Sequence, residues 1–102
     1  MLYVVLLTDK AGKGDVRPRL MPAHLDFLER HRAEIRAAGP LLEADGRGAG
    51  GLWLVEAESP AAVTALVERD PFWPTGLRES VRVLEWRQVF AEGRRLAAGA
   101  SQ

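Results

Sequence analysis

The sequence predicts an α+β fold, an antiparallel sheet with two helices on one of its faces. Apolar, partly β-branched runs at residues 2–7, 52–58 and 80–90 read as strands. Helical periodicity occupies the segment from Pro18 or Pro22 to about Ala38, and again Ala61 to Arg69. With a short edge strand at 41–44, the order is β-α-β-β-α-β, the ferredoxin-like arrangement.

The first strand, Leu-Tyr-Val-Val-Leu-Leu, is too apolar for anything but a buried position. Thr8 to Asp15 holds two glycines and two lysines and reads as a loop. In the first helix Leu20, His24, Phe27, Leu28, His31, Ile35 and Ala38 fall on one stripe at helical spacing. Gly39-Pro40 is then expected to end that helix, glycine as cap and proline as stop. The glycine-rich stretch Asp45 to Gly51 reads as a turn before the strand at 52–58. No helix follows those glycines, so they do not form a dinucleotide or phosphate loop. Ser59-Pro60 supplies an N-cap and a proline at the first helical position, and Val63, Leu66, Val67 and Asp70 share one helix face. Asp70-Pro71 closes this second helix, and Phe72 to Glu79 reads as a loop before the last strand.

A chain of 102 residues has room for one domain with a thin core. We place that domain at residues 1–91 and a flexible tail at 92–102. Fourteen basic and fourteen acidic side chains cancel. The basic excess that nucleic-acid or membrane-surface binding asks for is missing, so neither partner is expected. The third strand also lacks the basic-aromatic signature by which RNA recognition modules of the same strand order stack bases. No run approaches the ~20 apolar residues of a membrane span. The apolar N-terminal run has no basic region before it and is too short for a signal peptide. Cysteine is absent, which excludes disulfides and thiolate chemistry and fits a cytoplasmic location.

The strand faces carry a further expectation. Leu2, Val4 and Leu6 alternate with Tyr3, Val5 and Leu7, and Leu52 and Leu54 alternate with Trp53 and Val55, so both faces of the sheet are apolar. Two helices cover one face only. A second copy packed sheet to sheet would cover the other, and a homodimer is expected.

Without cysteine, acid–base chemistry near neutral pH falls to His24, His31 or a perturbed carboxylate. Topology brings the start of the first helix and the end of the second to the same edge of the domain, so His24 and Asp70 can meet. A carboxylate at a helix C-terminus faces the negative end of the dipole, and an imidazolium beside it would compensate. The alternative is that Asp70 simply opens an Asp-Pro turn. His31, two turns further along, reads as structural. The two histidines are seven residues apart with no third ligand at metal spacing, so no metal or other cofactor is expected.

Several of these residues resemble the YCII-related family. They are Met1-Leu-Tyr-Val-Val at the start, Arg17, Pro22-Ala-His24-Leu, Ala38-Gly39-Pro40, the serine-led second helix, and Asp70-Pro71-Phe72 followed by Gly76. The resemblance covers about residues 1–90. It implies a dimeric α+β barrel with a histidine–aspartate pair at its centre, which fall here on His24 and Asp70. It also implies a role in substrate binding for Arg17, with Arg19 a nearby alternative. Phe72-Trp73-Pro74 departs from the family pattern and is expected to shape the pocket, so Phe72 and Trp73 join Arg17 as expected substrate-binding residues. The reading is a small metal-independent lyase or isomerase acting on an enolisable or aromatic metabolite. The competing reading is a non-catalytic ligand-binding or scaffold homodimer.

Overall fold

The structure, a computed structural model, describes residues 1–96. It is an α+β fold of ferredoxin-like order. The elements are β1 (Leu2–Asp9), α1 (Val16–Arg30), β2 (Ile35–Leu42), β3 (Gly48–Glu56), α2 (Pro60–Arg69) and β4 (Arg78–Glu85), with a short 3-10 turn at Trp73–Thr75. The sheet is antiparallel throughout, in the order β2-β3-β1-β4. β1, the most apolar strand, is therefore central, where both neighbours satisfy its backbone. Among the described residues no helix is long and apolar enough to cross a membrane.

Both helices begin and end for local reasons. Ser59, in extended conformation, accepts the Ala62 N–H at 3.2 Å and caps α2, with Pro60 at the first helical position as expected. Asp70 then leaves helical geometry, and the chain turns away. α1 starts at Val16, earlier than either expected proline. Pro18 sits in its first turn, where no N–H is missed, and Pro22 lies inside it.

Five boundaries correct the sequence reading. α1 ends at Arg30 rather than near Ala38, and a turn at His31 leads directly into β2. Ile35 and Ala38 fit a helical stripe only because two positions cannot separate a period of 3.6 from a strand. Gly39-Pro40 is therefore no helix stop. It lies within β2, an edge strand, where proline's missing N–H faces no partner strand. β2 accordingly begins six residues before the expected edge strand at 41–44. β3 takes in Gly48 to Gly51, which were expected in the turn, and β1 extends to Asp9. Finally, β4 stops at Glu85 instead of Phe90, because β1 begins at Leu2 and offers nothing to pair beyond it. Phe90–Ala91 pairs instead with Arg94–Arg95 in a two-stranded hairpin, whose second strand falls in the segment expected as tail from 92 onward. The rest of that expected tail, 97–102, lies outside the described residues.

The core fills the space between the sheet and the helices. Tyr3, Val5, Leu7, Trp53 and Val55 from one face of the sheet meet Phe27 of α1 and Val63, Leu66 and Val67 of α2. The opposite face carries Val4, Leu52, Leu54, Leu84 and Trp86 around a shallow apolar groove. No helix covers it, and Leu84 and Trp86 remain 41% and 43% exposed.

Candidate active site

His24 and Asp70 are buried polar residues in a largely apolar interior, and the side chain of Arg78 is buried beside them. His24 is the ninth residue of α1, on the stripe that faces the sheet. Asp70 is the C-cap of α2. The topology brings them together as expected, with His24 Nδ1 2.8 Å from Asp70 Oδ1. The same carboxylate oxygen accepts the Phe72 N–H at 3.1 Å. A carboxylate only accepts, so Nδ1 carries the shared proton and the imidazole is held in one tautomer and one orientation. Nε2 is then the nitrogen left free for chemistry.

The ring is fixed from its faces as well. Phe72 stacks on it with centroids 4.3 Å apart and 18° between planes, and Trp53 lies 6.3 Å away at a tilt. Phe72 itself is held by the loop that follows α2. The Thr75 hydroxyl donates to the Phe72 carbonyl at 2.6 Å and accepts the Leu77 N–H at 3.1 Å. Gly76 takes a left-handed conformation, φ 77°, to let that loop close. A buried ion pair is weak evidence for stability, since desolvation offsets much of the attraction. What the pair does supply is a histidine whose position is over-determined.

Two guanidiniums complete the site. Arg17 donates Nε to Asp9 Oδ2 at 2.9 Å, brings Nη2 within 2.8 Å of the same oxygen, and reaches the Gly50 carbonyl at 3.4 Å. Arg78 donates Nη1 to Asp9 Oδ1 at 2.9 Å, and its Nη2 lies 3.9 Å from Asp70 Oδ2. Both lie over the Phe72 ring, at 5.8 and 5.3 Å. Burial pulls the pKa of Arg78 down from the usual guanidinium value, while the Asp9 hydrogen bond works against that fall. Asp9 therefore bridges the two cations, one carboxylate oxygen to each.

His24, Arg17, Arg78, Met21 and Trp53 line a common cavity of about 100 Å³, closed on one side by the backbone around Gly39 and Gly51. It is smaller than the roughly 150 Å³ cavity that accommodates benzene, so it has room for the oxygen-bearing edge of a ring and not for a whole ring. Among the expected substrate-binding residues, only Arg17 lines it. Phe72 is fully buried behind His24 and supports it. Trp73 is 37% exposed on the 3-10 turn and does not line the cavity. His31 ends α1, packs 4.7 Å from Phe27 and lines a separate groove with Met1 and Glu34. Arg78, Asp9 and Trp53 were not singled out from sequence, although the inward alternation of Trp53 could have marked it. Among the described residues no cluster of histidine and carboxylate side chains has the make-up of a metal site.

A family model described as the YCII-related domain matches residues 1–87. Protein YciI of Escherichia coli is 36% identical over 98 residues, covering 88% of this chain and all of the relative. Among solved structures, 5-chloro-2-hydroxyhydroquinone dehydrochlorinase from Burkholderia phenoliruptrix, in complex with 2,5-dihydroxybenzoquinone, is similar at a TM-score of 0.74 and 36% identity. That match covers 84% of this chain and 93% of the dehydrochlorinase. A protein from Agrobacterium tumefaciens shares the fold at a TM-score of 0.53 and 16% identity, over 91% of this chain and 99% of its own.

Proposed function

This chain belongs to the YCII-related family, and on that premise we propose that it is a metal-independent acid–base enzyme of the lyase or isomerase type. The observation that carries the reading is His24, locked through Nδ1 by Asp70 and lining a cavity with two cationic side chains. Nε2 of His24 exchanges a proton with a small enolisable or aromatic substrate. Asp70 fixes the tautomer and stabilises the imidazolium that forms when Nε2 takes the proton. Arg17 attracts the anionic oxygen of the substrate toward the cavity.

The dehydrochlorinase likeness supports an elimination. In such a step a substrate proton passes to the base, the carbon–chlorine bond breaks with its electron pair, and chloride leaves. A purely structural role for the pair gives no reason for a cavity beside His24. The test is turnover of 5-chloro-2-hydroxyhydroquinone, followed by chloride release, in the wild-type protein and in His24→Ala. Acid–base catalysis by a positioned side chain contributes about 10²–10⁴-fold, and a loss of that size supports the reading. Equal chloride release by the two proteins overturns the assignment of His24.

We further propose that the uncovered sheet face packs against a second copy. Its half-exposed Val4, Leu52, Leu54, Leu84 and Trp86 form a continuous apolar surface. Sedimentation should give about twice the chain mass of 11.2 kDa, and a species of 11.2 kDa at micromolar concentration would overturn the dimer. We place this activity in the cytoplasm, which the lack of cysteine supports.

A further inference from the structure

Arg78 presents more unused hydrogen-bonding capacity to the His24 cavity than any other side chain lining it. A guanidinium has five N–H donors. Arg78 is only 3% exposed through its side chain, yet it makes one hydrogen bond, from Nη1 to Asp9. Its Nη2 stands 3.9 Å from Asp70, beyond hydrogen-bond length. Phe72 lies against the guanidinium face and accepts no N–H in its plane. Among the described residues the Tyr3 hydroxyl is the only buried side-chain polar atom without a partner, so the unpaired donors of Arg78 are not sealed in the core but open toward the cavity, where a ligand can take them. Arg17, by contrast, already spends Nε and Nη2 on Asp9 and Gly50.

Glycine 51 keeps the space in front of these groups clear. A Cβ there would lie 3.6 Å from Arg78 Nη1 and 3.7 Å from Arg17 Nη2, an ordinary contact that would fill the approach to both. Gly51 lines the same cavity as His24.

We propose that Arg78 is the anion clamp of this site: its free donors bind an oxyanion of a compact, planar substrate, an enolate or phenolate oxygen, within the cavity that His24 serves. The catalytic part of this statement rests on the acid–base reading above, and the binding part stands without it. The developing or resident negative charge then lies between Arg78 and His24, where protonated His24 and the oxyanion balance each other. The two guanidiniums are already balanced by Asp9 and Asp70. Arg17 is left as the outer partner, 21% exposed through its side chain and shared with the polar groove of Lys10, Gly12 and Gly48.

The test uses two flat ring probes that differ in charge. 2,5-Dihydroxybenzoquinone has acidic hydroxyls and is an anion at neutral pH, whereas 2,5-dimethoxybenzoquinone has the same ring and cannot ionise. Each is titrated calorimetrically into the wild-type protein, Arg78→Met, Arg78→Lys and Gly51→Ala. The wild type should bind the anion at least tenfold more tightly than the ether. Arg78→Met should erase that preference, while Asp9 keeps Arg17 and Asp70 keeps His24, so the fold survives. Arg78→Lys should retain part of the preference, since the charge stays and the fork is lost. Gly51→Ala should weaken the anion with an unchanged melting temperature. Equal affinities for the two probes in the wild type, no binding of either, or an undiminished preference in Arg78→Met overturns the clamp. His24→Asn separates the two readings. If it keeps the anion preference and still turns over 5-chloro-2-hydroxyhydroquinone like the wild type, the catalytic reading fails and the clamp stands.

Discussion

The two faces of the sheet are equally apolar in sequence and differ in what finishes them. On the helix side, Tyr3, Val5, Trp53 and Val55 are at most 1% exposed, and Phe27 and Val63 close over them. On the other side Leu84 and Trp86 stay more than two-fifths exposed, and Leu52 and Leu54 on β3 are half-buried. The proposed chemistry lies on the covered face. The His24–Asp70 pair and Arg78 need a water-poor surround, because charge interactions and fixed orientations gain strength there and are lost in bulk water. The open face offers area and no charge pattern of that kind. It suits association, as the covered face suits reaction.

The largest effects should come from breaking the covered face at its polar end. His24→Ala is expected to lower kcat/KM by about 10²–10⁴-fold, measured by chloride release. Asp70→Ala should act on both turnover and stability. It leaves the Phe72 N–H and the His24 ring without their buried partner, and removing one member of a buried pair costs about 3–5 kcal/mol. Urea denaturation reads that loss. A change under about 1 kcal/mol would show that water replaces the carboxylate, and that this end of the core is wetter than its burial implies.

Gly50→Ala should be nearly as damaging, for a backbone reason. Gly50 has φ 94°, and a Cβ there would come within 1.9 Å of the Leu7 carbonyl oxygen. β3 can approach β1 at this point only without a side chain. Strained conformations of this kind cost about 1–3 kcal/mol, before the collision itself is relieved. Gly51→Ala, one residue on, is the control that should leave stability unchanged.

How far the sequence revealed this contrast depends on the range of the interactions. The alternation in β1 and β3, the Ser59-Pro60 cap and the meeting of His24 with Asp70 follow from local pattern and chain order, and each is present. The end of α1 was hidden because Ile35 and Ala38 fit both periods, and a proline in an edge strand looks the same as a helix stop. Arg78 was hidden by register. Counting back by alternation from Val83 and Val81, which face the helices beside Val5 and Leu7, puts Glu79 inward and Arg78 outward. The register shifts between Thr8 and Asp9, so that Ser80 pairs with Thr8 but Arg78 pairs with Asp9. Such a bulge re-aims one side chain. It turns Arg78 to the covered face, and no periodicity in the sequence announces it.

Smaller effects test the open face and the rim. Leu84→Glu places a charge in the uncovered apolar groove, and it should convert the sedimenting species to 11.2 kDa with the secondary structure intact by circular dichroism. If the same change leaves the mass at twice that value, the second copy sits elsewhere and the two faces no longer divide association from reaction. Trp73→Ala should do least. Trp73 is 37% exposed, contributes its N–H to the Asp70 carbonyl through backbone alone, and does not line the His24 cavity. Exposed substitutions of this kind stay within about 0.5 kcal/mol, and turnover should match the wild type. A tenfold fall in kcat/KM at Trp73 would mean that substrate extends past the cavity over the 3-10 turn. The reacting region would then be larger than the enclosed end of the covered face.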